Sequence, residues 1–252
     1  MSGACAALIL AGSRGARDPV AAAAGVPAKA FAPVAGRPML ARVIEALAGC
    51  PEIGDIVVSI EPGMPDLPET SRAVRRLDAE PSPAASALAG TEALSAPLLV
   101  TTADNPLLTP KTISAFLDGA RAAEVDVCAA LAPRAAVERA GNPGRRTYLR
   151  FSDGAFSGCN LFHISTEAGM GAIRFWRALE ADRKRPWRMA SKIGPGVLAR
   201  YAAGRLSTAQ VAAAISGRAG CRAAIVRLDE PLAAHDVDKP EDLAFAERVL
   251  SA

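Results

Sequence analysis

Two kinds of residue in this chain have the type and spacing to act on phosphate. The first lie in Leu10-Ala11-Gly12-Ser13-Arg14-Gly15-Ala16-Arg17, which follows a short apolar run at 6–10. Gly12 and Gly15 let a backbone turn tightly and approach a ligand closely. Successive N–H groups in such a turn cradle an anion. Arg14 and Arg17 add forked donors that match phosphate oxygens, and Lys29 would reach the same phosphates as a point charge. The same string also reads as an ordinary strand-to-helix turn carrying surface arginines, and the residues alone leave both readings open. The chain has no G-x-x-x-x-G-K-[ST] and no full G-x-G-x-x-G at this turn, so neither a P-loop nor a dinucleotide fingerprint is present.

The second kind are acids. Asp104, in Thr101-Thr-Ala-Asp104-Asn-Pro106, follows an apolar run at 97–102. A carboxylate there is placed to hold Mg²⁺ between triphosphate oxygens; it reads equally as a turn or capping aspartate close before proline. Near the end stands His235-Asp236-Val-Asp238-Lys-Pro240-Glu-Asp242. Taken alone, Asp238 reads as the N-cap of a closing helix, and Asp242 as a solvated first-turn acid that favours the helix dipole.

The elements that must position these residues alternate. Short apolar runs predict strands at 6–10, 55–60, 97–102 and 125–132; helical spacing or capping predicts helices at 38–47, 86–94 and 109–122, with Thr109 as a cap. Such alternation implies βαβ units and a parallel sheet. Ligands of such sheets bind outside the carboxyl ends of the strands, so the loops after Leu10, Ile60 and Thr102 are where chemistry is expected. Further on, strands are expected at 147–151 and 159–164 about a turn at 152–154, and a late strand at 223–228. Helices are expected at 166–180, 189–203, 207–216 and 240–250, the last with Pro240 in its first turn.

Half of the 252 residues are hydrophobic and 22% are charged, which suits a packed core. A net charge of +3 is too mild for a dedicated nucleic-acid binder. Cys5, Cys50, Cys128, Cys159 and Cys221 contain no C-x-x-C pair, so buried thiols in a reducing cytoplasm are expected, without a disulfide framework or zinc site. The N-terminal apolar run is too short to span a bilayer. No internal repeat or sharp boundary interrupts the chain, so a single domain over 1–252 is expected: a nucleotide-binding half at 1–132, a variable part at 133–225 and a closing strand and helix at 226–252.

The segment from Ala7 to Arg17, followed by Pro27-Ala-Lys29-Ala-Phe-Ala-Pro-Val-Ala-Gly36-Arg-Pro38-Met-Leu, resembles the start of the MobA-like nucleotidyltransferases. Here Ser13 replaces the family's second glycine, Asp18 replaces a methionine, and the arginine-to-lysine gap is longer. The resemblance implies a three-layer α/β/α sandwich with a mostly parallel sheet, of the nucleotide-diphospho-sugar transferase type. It implies transfer of NMP from an NTP, CTP or GTP, to a phosphorylated acceptor with release of pyrophosphate. It implies Mg²⁺ as cofactor, with Asp104 as one ligand, Asp238 as the second and Asp236 as the alternative. Leu10, Ala11, Gly12, Ser13, Arg14, Gly15, Arg17 and Lys29 would bind the triphosphate. Ser82 and Ser86, in Glu80-Pro-Ser82-Pro-Ala-Ala-Ser86, match a segment that lines base and ribose, and also read as a capped helix start.

The acceptor is expected at the weakly matching part. Ser157-Gly158-Cys-Asn160 resembles the family's G-x-N strand, which places Gly158 and Asn160 there. Arg145, Arg146 and Arg150 would bind an acceptor phosphate, or form a solvated face. Both tryptophans fall between Phe175 and Arg188 among basic residues. That stretch suits peripheral contact with an anionic membrane surface, and a lipid-phosphate acceptor, or a packed helix with a charged outer face. His163 reads as a core or edge histidine. Two rivals are a glycosyltransferase of related sheet architecture, disfavoured because Asp104-Asn-Pro106 lacks a D-x-D, and a non-catalytic nucleotide-binding module.

Overall fold

Cys5–Leu10 forms strand β1 at the centre of the molecule, and its unbroken apolar run reflects burial on both faces. Ala7 and Ile9 enter one core with Leu40, Val43, Ile44, Ile113 and Phe116. Leu8 and Leu10 enter the other with Ala87, Leu88 and Ile173. The strand's two-residue side-chain period therefore divides the molecule into layers. The computed structural model describes residues 4–13, 18–142, 146–182 and 185–251.

The elements run β1, α1 (Pro19–Ala24), β2 (Pro33–Val34), β3 (Arg37–Pro38), α2 (Met39–Ala48), β4 (Ile53–Ile60), β5 (Val74–Asp78), α3 (Pro83–Ala93) and β6 (Leu98–Thr102). They continue with α4 (Pro110–Ala122), β7 (Val127–Pro133), α5 (Arg134–Arg139), β8 (Leu149–Phe151), β9 (Gly154–Ile164), α6 (Met170–Ala181), α7 (Pro186–Ile193), α8 (Pro195–Ala202), α9 (Thr208–Ala219), β10 (Ala223–Arg227) and α10 (Pro240–Leu250). The main sheet has the order β10-β7-β9-β6-β1-β4-β5, with β8 paired to β9. β1 is parallel to β4 and β6, β4 to β5, and β7 to β10. Helices α2 and α4 cover one face; α3, α6 and α9 cover the other. This is the expected three-layer sandwich with a mostly parallel sheet. Gly90 lets α3 lie close on β1: a Cβ there would come 2.2 Å from Leu8 Cδ2.

β9 is the exception to the parallel sheet, running antiparallel to both β6 and β7. It is longer than the 159–164 expected, and β8 is shorter than 147–151. Because β9 runs backwards, its early residues and β8 stand at the carboxyl edge of the parallel strands.

Five elements escaped the sequence reading: the two-residue strands β2 and β3, and β5, α1 and α5. β5 carries Val-Arg-Arg-Leu-Asp and is largely exposed, as befits an edge strand blunted by charge. α1 is capped by Asp18, which accepts from the Val20 and Ala21 amides, and ends at Gly25 with φ 66°. The aspartate in place of the family's methionine thus starts a helix. α5 follows β7 directly. The helix expected at 189–203 is two helices, α7 and α8, divided at Gly194 with φ 98° and followed by Pro195. A third, smaller core joins α1, the β2–β3 turn and α10 through Val20, Val34, Met39, Val237 and Phe245. It packs the chain around Lys29 against the chain around Asp238.

Candidate active site

Three aspartates converge at the carboxyl edge: oxygens of Asp104, Asp236 and Asp238 all lie within 4.8 Å of one another. Asp104 extends from the end of β6, where Thr102 Oγ1 donates to its Oδ1 at 2.5 Å. Asp236 and Asp238 come from the segment before α10. The Val237 amide donates to the Asp104 carbonyl at 2.8 Å, binding the two segments backbone to backbone. Buried Asn105 adds a second tie, donating from Nδ2 to the Ala233 carbonyl at 3.0 Å and accepting from the Leu107 amide at 3.3 Å.

Lys29 enters this cluster on a short 3₁₀ turn, Lys29–Phe31. Its Nζ donates to Asp104 Oδ2 at 2.8 Å and to Asp238 Oδ1 at 3.0 Å. Burial alone would lower its pKa, but the charges and hydrogen bonds of Asp104 and then Asp238 outweigh it and raise the pKa above the ordinary lysine value. Arg146 is the second cation. It donates to Asp236 Oδ1 at 2.7 Å, to the Asp236 carbonyl at 3.0 Å and to Asp242 Oδ1 at 3.4 Å. The Asp236 carboxyl is nevertheless pushed up to about 6, first by burial and then by the Asp104 charge, against the pull of Arg146. Four carboxylates therefore face two cations, with acid in surplus. Hard oxygen donors and a negative surplus are what a divalent-cation site requires, so these residues fit Mg²⁺.

Two expectations are corrected here. The N-cap of α10 is Lys239, not Asp238, whose side chain is turned to Lys29. Asp242 is not solvated: it is 8% exposed, accepts from the Asp238 and Lys239 amides at 3.3 and 3.2 Å, and meets Arg146. Arg146 in turn is committed to these acids and is not a free phosphate ligand. His235 is buried and stacks on Phe245 with ring centroids 5.2 Å apart. Burial, then the Arg146 charge, pushes its pKa down to about 4, so it is neutral.

Of the glycine-rich loop, Leu10 and Ala11 are buried and Gly12 is exposed. Ala11 donates to the Ser59 carbonyl at 2.8 Å, and Ala103 to the Leu10 carbonyl at 3.0 Å, so this turn and the Asp104 turn spring from paired strand ends. The Ser13 amide already carries an anion, Oε1 of Glu61 at 2.5 Å, from the end of β4. Arg14, Gly15, Arg17 and Arg145 lie outside the described residues. Ser82 caps α3 through the Ala85 amide at 3.3 Å. Buried Ser86 accepts from the Glu80 amide at 2.9 Å. Both hydroxyls thus shape the loop between β5 and α3.

On the other side, Asn160 has φ 51° and sits where three residues of β9, 159–161, oppose Ala130 of β7. The result is a bulge that turns the strand at the carboxyl edge. A side chain at Gly158 would meet open space. Arg150 is exposed on β8, opposite Ala155. The field of Asp236 reaches Cys159, whose thiol is pushed up to about 12 mainly by burial. All five cysteines are free and buried, as expected. His163 is a core histidine hydrogen-bonded to Ser165 at 3.1 Å. Glu61, Thr102, Asn105, Asp242 and the clamping role of Arg146 were missed; only the placement of Asn105 between Asp104 and Pro106 offered a signal.

No helix among the described residues is long and apolar enough to cross a membrane. No curated protein matches the chain. A structure titled as a hypothetical transferase from Thermus thermophilus is 30% identical, with a TM-score of 0.80, over 95% of this chain and 99% of that one. At 12% identity and a TM-score of 0.57, 4-diphosphocytidyl-2C-methyl-D-erythritol synthase from Anaerococcus prevotii shares the fold over 99% of this chain and 97% of its own. CMP:2-keto-3-deoxy-manno-octonic acid synthetase, complexed with CTP, does so at 13% identity and 0.56, over 99% of each. The family model of the MobA-like NTP transferase domain matches residues 7–232. With the sandwich fold, the paired strand-end turns and the aspartate cluster already in place, that match over most of its length makes the chain a member of the MobA-like NTP transferase domain family.

Proposed function

We propose that this protein is a Mg²⁺-dependent nucleotidyltransferase that moves NMP from CTP or GTP onto the phosphate of a small-molecule or lipid acceptor. The observation that carries the reading is the cluster of Asp104, Asp236 and Asp238 with Lys29 lodged in it, beside the glycine-rich turn. An acceptor phosphate oxygen forms the new bond to the α-phosphorus. The bond from that phosphorus to the bridging oxygen breaks, and its electron pair leaves on pyrophosphate. A phosphate monoester is already ionised, so no side-chain base is needed; the protein supplies position and charge.

Lys29 and Arg17 neutralise the triphosphate, and the backbone from Leu10 to Gly15, with Arg14, cradles it. Ser82 and Ser86 form the wall for base and ribose. Asp104 and Asp238, with Asp236 beside them, would hold Mg²⁺, which when bound offsets charge on the phosphate oxygens. Asn160, Gly158 and Arg150 face the acceptor from the β8–β9 side. Residues 1–252 act as one domain in this scheme.

A thermal-shift series with CTP, GTP, UTP and ATP, with and without Mg²⁺, tests the reading. A nucleotide at 100 times its dissociation constant stabilises by about 2.7 kcal/mol. A Mg²⁺-dependent shift for one base, lost in Asp104→Ala, is expected. No shift with any nucleotide would sink the proposal.

A further inference from the structure

On the face of the sheet away from α2 and α4, the outer strands are incompletely covered. Ala223 and Ile225 on edge strand β10 are only half-buried, as are Trp176 and Leu179 on α6 and Ile215 on α9. They are half-buried because they line a cavity of about 340 Å³, bounded by β7, β9 and β10 on one side and by α6, α7, α8 and α9 on the other. Phe162, Trp176, Leu179, Ile193 and Ile215 contribute to its wall, and Arg218 is the one charged residue in the lining among the described residues. Trp176 is fixed against Phe162 with ring centroids 6.1 Å apart. A dry apolar cavity of about 150 Å³ takes up benzene, so this one has room for roughly ten to twelve carbon atoms.

The cavity leads into a more open vestibule that shares Val197, Ala214 and Arg218 with it and adds Arg200. The two arginines differ from the other cations nearby. Arg185, Arg188 and Lys192 all surround the Asp182 carboxylate, at 4.0, 3.9 and 2.7 Å. Arg218 meets only backbone carbonyls, of Lys192 at 2.8 Å and Ala214 at 3.0 Å. Among the described residues, neither Arg218 nor Arg200 has a carboxylate partner. The chain has thus placed two uncompensated guanidiniums at the mouth of an apolar chamber, roofed by two short helices that meet at Gly194.

We infer that this chamber is a binding site for an amphiphilic anion: a single apolar chain of about ten carbons lies against Trp176 and Phe162, and its carboxylate or phosphate head meets Arg218 and Arg200. The site is separate from the aspartate cluster, which lies at the carboxyl edge of the strands.

Trp176 reports directly on occupancy. In Trp187→Phe protein it is the remaining tryptophan, and ω-bromo-undecanoate quenches indole on contact. Saturable quenching is expected, with the matching bromo-alcohol binding about ten-fold more weakly, a difference of about 1.4 kcal/mol. Decyl phosphate should reverse the quenching if a phosphate head is accepted as well as a carboxylate; failure to do so restricts the site to carboxylates. Ala223→Phe, whose side chain lies on the Phe162 and Trp176 side of β10 and fills the chamber, should abolish quenching while the circular dichroism spectrum is kept. Arg200→Gln should narrow the acid-over-alcohol preference even if Arg218→Met fails to fold. Quenching that never saturates, an alcohol that binds as well as the acid, or full binding to Ala223→Phe would overturn the inference. So would adsorption to phosphatidylglycerol vesicles with no response to the monomeric acid.

Discussion

The ammonium of Lys29 lies 3.0 Å from the Asp238 carboxylate across 209 residues of chain, and the same nitrogen holds Asp104 at 2.8 Å. One side chain is therefore both the counter-charge of the acids and, in the proposed reaction, a partner of the triphosphate. Lys29→Met separates these roles. Pyrophosphate release should fall on the order of 10²–10³-fold, the scale of a lost transition-state charge partner. Divalent-cation affinity, read by titration calorimetry, should be unchanged or tighter because a competing cation is gone. Full turnover in this variant would leave Lys29 as a charge balancer only.

Arg146 holds Asp236 and Asp242 from a position with 11% of its side chain exposed. Arg146→Met leaves both acids without that partner in a half-buried setting. Urea unfolding should show a loss of about 3 kcal/mol, typical of breaking one side of a buried pair. Arg146→Lys should recover little, because one ammonium cannot reproduce a fork that spans two carboxylates. Recovery to wild-type stability would show that charge alone, not geometry, is at work.

Asn105 is 2% exposed and ties the Asp104 turn to the loop before Asp236. Asn105→Ala should cost about 1–3 kcal/mol, from an orphaned carbonyl and amide. The loss should shrink when saturating Mg²⁺ is added, since a bound cation would clamp the same two segments. A loss equal with and without the metal would mean that the tie does not serve the site.

Asp126 accepts from the Arg222 amide at 2.7 Å, from the Arg222 guanidinium at 3.1 Å and from Thr166 at 2.9 Å. The hydrogen bonds from Arg222, assisted by Thr166, hold its carboxyl down at about 2, below the ordinary 3.8. A depressed folded-state pKa means stability that is present above about pH 4 and lost as pH falls through 2. Asp126→Asn should be less stable than wild type by about 1 kcal/mol at pH 7, a figure reduced because Arg222 is solvated. The gap should close towards pH 2 in denaturant titrations. A gap independent of pH would place the effect in packing.

What was legible in the sequence follows from how local each cause is. β1 and β6 are doubly buried, so their apolar runs announce them, and the acid after β6 was visible as a carboxylate at a strand end. β5 was hidden because an edge strand with arginines has no apolar period. α1 was hidden in an alanine run whose only sign was Asp18. The split between α7 and α8 rests on Gly194-Pro195, a local pair overlooked inside a helical pattern. The clamp is a different case. Arg146 and Asp236 stand 90 residues apart, and whether Asp242 is solvated or buried depends on that distant arginine. Glu61 likewise meets Ser13 only because β1 and β4 are neighbours.

The backbone bond from Val237 to Asp104 bears on the order in which the molecule is made. β1, β4, β6 and the Asp104 turn have all left the ribosome well before Asp236 and Asp238 do. Closing so long a loop is entropically costly until the small core around Val237 and Phe245 forms. A nascent or C-terminally clipped chain would have a folded sheet and only one of the three acids. The three-aspartate cluster is therefore a late event in the folding of each molecule.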